Sequence, residues 1–91
     1  MDQEYLNLGE DPSLLLVDDD DAFLKRLAKA MEKRGFSVET ADCVAAGKAI
    51  ATARPPAYAV VDLRLADGNG LDVVETLRAR RPESRIVVLT G

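Results

Sequence analysis

Four short strand-like runs, alternating with stretches of helical periodicity, constrain this chain more than any other feature. They are Ser13 to Val17, Phe36 to Thr40, Ala57 to Val61 and Arg85 to Leu89. The first, Ser-Leu-Leu-Leu-Val, is apolar throughout, as a strand buried on both faces must be. The second alternates, with Phe36 and Val38 set against Ser37 and Glu39. Strands separated by helices predict a βαβαβαβ chain: an α/β fold with a parallel, doubly wound sheet and right-handed crossovers.

The intervening segments carry helix signals. Phe23, Leu24, Leu27, Ala28 and Met31 fall on one stripe of a helix expected over Ala22 to Arg34. Asp20 or Asp21 can cap its start, and Gly35 ends it. A second, alanine-rich helix is expected from Cys43 to about Ala53, capped by Asp42, weakened by Gly47 and stopped by Arg54-Pro55-Pro56. A third begins near Gly70 or Leu71, turns Leu71, Val74 and Leu77 inward, and stops before Pro82. Met1 to Pro12 reads as an acidic, flexible lead-in with Gly9 and Pro12 as breakers, leaving one domain over residues 13–91.

Ninety-one residues with 47% hydrophobic and 31% charged content describe a small globular domain. The formal charge of −4 lies wholly in residues 1–12, which hold Asp2, Glu4, Glu10 and Asp11 and no base. Such a balance gives no basic stripe for nucleic acid. A single cysteine and no histidine exclude a disulfide framework and a Cys/His zinc site within the chain. Cys43 is expected to be a small packing residue, with a redox role as the alternative. With no apolar run long enough to span a bilayer and no signal-peptide pattern, the expected location is the cytoplasm.

In a doubly wound sheet, reactive groups gather at the carboxyl ends of the strands. Here those ends read Asp18-Asp19, Asp62 and Thr90, which the topology should bring to one rim. Three adjacent carboxylates repel unless a cation compensates them, and all-oxygen ligands select a hard divalent ion, Mg²⁺ foremost. With the charge screened, Asp62 can attack a phosphoryl group and form an acyl phosphate. The Thr90 hydroxyl can donate to a phosphoryl oxygen, and Gly68 and Gly70 let the loop after Asp62 bend closely around the site.

Three motifs in order carry a resemblance: Leu-Leu-Leu-Val-Asp18-Asp19-Asp20, Val-Val-Asp62-Leu-Arg-Leu-Ala-Asp-Gly-Asn-Gly70 and Val-Val-Leu-Thr90-Gly91. Together they resemble the receiver domain of two-component response regulators, with its flavodoxin/CheY-like fold. Lys-Arg-Leu-Ala-Lys-Ala-Met-Glu-Lys-Arg-Gly-Phe and the Asp62 loop further resemble the redox-responsive regulators of photosynthesis genes in purple bacteria, the RegA/PrrA type. The resemblance implies that Asp62 is the phosphoacceptor for a sensor histidine kinase. It implies Asp19 as a direct Mg²⁺ ligand, Asp18 as a ligand acting mostly through water, and Arg64 as the donor of a backbone carbonyl. Thr90 becomes the switch hydroxyl. DNA would be reached only through a C-terminal helix-turn-helix domain outside this chain, and phosphorylation could drive homodimer formation. In itself the domain is a phosphoacceptor rather than an enzyme.

The chain departs from the family pattern at Ala66, where a proline commonly follows the phosphoacceptor by four places, so a looser turn is expected. The pattern also continues past Gly91 with a helix, a fifth strand bearing a lysine and an aromatic switch residue, and a last helix. The expectation is therefore a partial receiver whose fourth strand is an open edge. Two other functions compete. A phosphohydrolase of the haloacid-dehalogenase type would use Asp18 as nucleophile and Asp20 as acid/base; it has Ala22 where Thr or Val is wanted, and no task for Asp62. A pseudo-receiver would bind metal and partners without phosphotransfer.

Overall fold

The run Ser13–Val17 forms strand β1, and its side chains explain the architecture. Leu14 and Leu16 enter one cluster with Leu24, Leu27 and Met31. Leu15 and Val17 enter the opposite cluster with Val44, Ala51, Val73 and Leu77. A strand with cores on both sides cannot alternate polar and apolar residues, which is why its sequence is a continuous apolar run.

The computed structural model describes residues 11–90. Around β1 the elements run α1 (Asp21–Lys33), β2 (Ser37–Ala41), α2 (Val44–Ala53), β3 (Tyr58–Asp62), β4 (Arg64–Leu65), β5 (Gly68–Asn69), α3 (Leu71–Arg80) and β6 (Arg85–Leu89). The main sheet has the order β2-β1-β3-β6, with every pairing parallel. Helix α1 covers one face, while α2 and α3 cover the other. The expected doubly wound parallel sheet is thus the observed one, and the expected open edge is β6. A short antiparallel hairpin, β4 with β5, was not expected. It is too short to show a period, and its Asp-Gly-Asn-Gly reads only as a turn.

Helix α1 is capped by Asp20, whose side chain accepts from the Phe23 amide at 3.0 Å. Two details of the other helices correct expectation. Asp42 does not cap α2. Strand β2 runs on to Ala41, and the capping position falls to Cys43, whose sulfur accepts from the Ala46 amide at 3.4 Å. Leu71 does not turn inward either, being 44% exposed. The buried stripe of α3 is Val73, Val74 and Leu77, in phase with buried Gly70 one turn earlier, and Leu71 falls on its flank. Gly47 has a packing reason: a Cβ there would stand 3.0 Å from a Val73 methyl and 3.3 Å from one of Val17.

Asp11 and Pro12 are tied into the domain. The Ser13 amide donates to Asp11 at 2.9 Å, and Arg81 donates to the same carboxylate at 2.7 Å. Pro12 accepts from the Ser37 amide at 2.9 Å. Hydrogen bonds from Ser13, side chain first, together with Arg81, hold the Asp11 carboxyl down at about 2. Of the lead-in expected over residues 1–12, residues 1–10 lie outside the described residues, as does Gly91.

Candidate functional site

Strand register determines which side chains meet. Leu14 pairs with Tyr58, and Val17 with Val61. Asp18 and Asp62 are each the next residue beyond that last pair, so both carboxylates reach the same rim on neighbouring strands. One carboxylate oxygen from each of Asp18, Asp19 and Asp62 lies within 4.8 Å of the other two. Asp62 in turn pairs with Leu89, and the Leu63 amide donates to the Leu89 carbonyl at 3.0 Å. Thr90 therefore follows directly on this rim, exposed, as the strand ends predict.

The three acids differ in their surroundings. Asp18 is 8% exposed and accepts from the Asp20 amide at 2.9 Å. Its own amide donates to Ala41 at 3.1 Å, continuing the ladder to β2. Asp19 is exposed, and Asp62 is half-buried, accepting from the Arg64 amide at 3.1 Å. Among the described residues no ion pair involves Asp18, Asp19 or Asp62. Three clustered anions with no paired base, offering oxygen alone, fit a hard divalent cation and not a soft or nitrogen-seeking one.

Asp20, although adjacent, is not in the cluster. Its carboxylate is engaged as the α1 cap.

The loop after Asp62 is held tightly. The Gly70 amide donates to the Leu63 carbonyl at 3.0 Å, which closes the loop at its base. A Cβ on Gly70 would lie 2.1 Å from the Asp62 carbonyl oxygen and 2.9 Å from a Val61 methyl, so nothing larger than glycine fits there. Gly68 has φ +151°, a conformation side chains resist. It pairs with Leu65 across the hairpin, and a Cβ on it would stand 3.5 Å from a Val44 methyl.

Two residues of this loop were missed in the sequence. Asn69 accepts from the Leu71 amide at 2.8 Å and assists the start of α3; its place just before a helix is a readable signal. Asp67 accepts from the Val44 amide at 2.7 Å and the Ala45 amide at 3.1 Å, across more than twenty residues of chain. Those two amides, Val44 first, lower its carboxyl below the usual range. No local pattern announces a contact at that separation.

The comparisons with known proteins agree with this geometry. The family model described as the response regulator receiver domain matches residues 14–91. The photosynthetic apparatus regulatory protein RegA of Cereibacter sphaeroides is 82% identical over 84 residues, covering 92% of this chain and 46% of that protein. RegA of Rhodovulum sulfidophilum is 76% identical over 90 residues, covering 99% of this chain and 49% of that protein. The chain thus spans about half the length of the curated relatives it matches. Among solved structures, a response regulator from Burkholderia pseudomallei with a phosphorylated aspartic acid, calcium ion and citrate aligns with a TM-score of 0.83 at 34% identity. That alignment covers 89% of this chain and 48% of the other. With its acids gathered at one rim of a parallel sheet and its relatives regulatory proteins of this kind, the chain belongs to the response regulator receiver domain family, and its sequence is of the RegA type.

Proposed function

We propose that Asp62 is the phosphoacceptor of a two-component transcriptional regulator and takes its phosphoryl group from a sensor histidine kinase. The observation that carries this is the meeting of Asp62 with Asp18 and Asp19, one carboxylate oxygen of each within 4.8 Å of the other two. A carboxylate oxygen of Asp62 attacks phosphorus, the phosphorus–nitrogen bond to the kinase histidine breaks with its electron pair going to nitrogen, and the imidazole, already protonated on its other ring nitrogen, leaves neutral. Asp18, Asp19 and Asp62, with the backbone carbonyl of Arg64, would hold Mg²⁺, which supplies charge neutralisation on the transferring oxygens. Buried Asp18 fixes the depth of that site, and the Arg64 amide orients Asp62. A related response regulator with a phosphorylated aspartic acid and a calcium ion supports both parts of the reading.

Thr90, next to the Asp62–Leu89 pair, would donate its hydroxyl to the new phosphoryl group and shift the domain between two states. The output would be a helix-turn-helix domain beyond this chain, dimerising on phosphorylation, in the cytoplasm. Among the described residues no helix is long and apolar enough to cross a membrane. A haloacid-dehalogenase chemistry gains no support, because its acid/base, Asp20, is occupied in capping α1.

Incubation of the full chain with acetyl phosphate and Mg²⁺, followed by peptide mapping, tests the assignment. Label on Asp62 that disappears in Asp62→Asn is expected. Label on Asp18 overturns the reading, and no label at all favours a pseudo-receiver.

A further inference from the structure

The tip of the loop after Asp62 stands at the surface. Ala66, Asp67 and Gly68 are all exposed. Yet both carboxylate oxygens of Asp67 are engaged, one on each of the first two amides of α2, at 2.7 and 3.1 Å. Helix α2 has no acidic residue in its own first turn, and its local cap is a thiol, a weak acceptor, at 3.4 Å. Asp67 therefore supplies the anionic cap that α2 lacks, from a distant part of the chain.

The restraint acts in both directions. Helix α2 is anchored in the core through Val44, Gly47 and Ala51. Leu65, buried in the same cluster, seats the loop beside it. Across the hairpin Arg64 pairs with Asn69 and Leu65 with Gly68, so the tip at Asp67 and the backbone of Arg64 belong to one short paired unit. Arg64 is in turn bonded to the Asp62 carboxylate.

We infer that Asp67 is a positioning residue: by clamping the hairpin to the first turn of α2 it holds Arg64 and Asp62 in the geometry that binds the divalent cation. This rests on the assignment of Asp62, Asp18 and Asp19 as the cation site.

The test uses the full chain, with Mg²⁺ alone as the probe, titrated while the amide resonances of residues 18 and 62 are followed by NMR. Hydrogen exchange of the amides of residues 64–69 is measured in parallel. Asp67→Ala is expected to raise the Mg²⁺ concentration for half-saturation by about three- to tenfold, less than the loss of a residue touching a ligand directly. It is also expected to speed exchange across the hairpin. Asp67→Asn, whose amide oxygen can still accept but whose amide nitrogen cannot, should fall between. A purely stabilising cap would lower the melting temperature while leaving the half-saturation point of the folded protein unchanged. Wild-type half-saturation together with wild-type exchange in Asp67→Ala overturns the inference. If the wild-type chain shows no Mg²⁺ response, the cation assignment fails on its own, and exchange decides the clamp: faster exchange upholds it and unchanged exchange overturns it.

Discussion

Strands β1 and β6 are nearly the same word in the sequence, Ser-Leu-Leu-Leu-Val and Arg-Ile-Val-Val-Leu, yet they live in opposite surroundings. In β1 the last four residues are buried, and strands flank it on both sides. In β6 Val87 is 57% and Val88 36% exposed, and among the described residues the strand has a neighbour only in β3. Apolar composition therefore identifies a strand built for cover on both faces, whereas the cover itself comes from neighbours. Strand β6 has the composition of an interior strand in the position of an edge.

The contrast is broken if core truncations in the two strands cost the same. Leu15→Ala removes a fully buried side chain wedged among α2 and α3 residues, and should cost about 2–5 kcal/mol by urea titration. Val87→Ala should stay within about 0.5 kcal/mol, as a substitution at an exposed site does. A loss of several kcal/mol at Val87 would mean that β6 is covered in solution.

A smaller effect sharpens the comparison at the crowded end of the sheet. Gly70→Ala forces a methyl group to within 2.1 Å of the Asp62 carbonyl, and overpacking of this kind costs about 1–3 kcal/mol. The same variant should bind Mg²⁺ more weakly, because relief of the clash displaces the backbone of Asp62. Unchanged stability and unchanged Mg²⁺ binding would show that the loop has slack.

The smallest effect concerns pH. Asp11 keeps its carboxyl at about 2 against an ordinary 3.8, so the folded chain favours its ionised form. Its contribution is complete above about pH 4 and fades as the pH falls toward 2. The gap in melting temperature between the wild-type chain and Asp11→Asn should therefore be widest near neutrality and close in acid. A gap that widens on acidification would reverse the sign and remove the Asp11–Arg81 tie as its source.

Much of this was readable in advance, for physical reasons that differ by element. The bounds of β1 and β6 match expectation because apolar runs between charged or turn-forming residues have sharp ends. The meeting of Asp18 with Asp62 was readable because parallel strands end at one rim. The cap of α2 was not. Asp42 is the stronger capping residue by type, but pairing of Ala41 with Val17 carries β2 one residue further than its alternation suggests. Leu71 has the hydrophobicity of an inward residue, but the phase shared by Gly70, Val73, Val74 and Leu77 puts it on the flank. The role of Asp67 is not legible in the sequence, because its partners are distant along the chain and a residue beside glycine reads as a turn.

The pairing of Leu14 with Tyr58 sets two measuring rods side by side, each four residues long from that pair to its terminal acid. Length is thus a chemical variable in this domain. Removal of one residue from within β3 would draw its carboxylate back by about 3.3 Å and turn it to the sheet's other side. An added residue in a surface connection would alter neither rod. Evolution can lengthen those connections freely, but the count of residues between the pair and the acids is as much a part of the reagent as the carboxyl groups themselves.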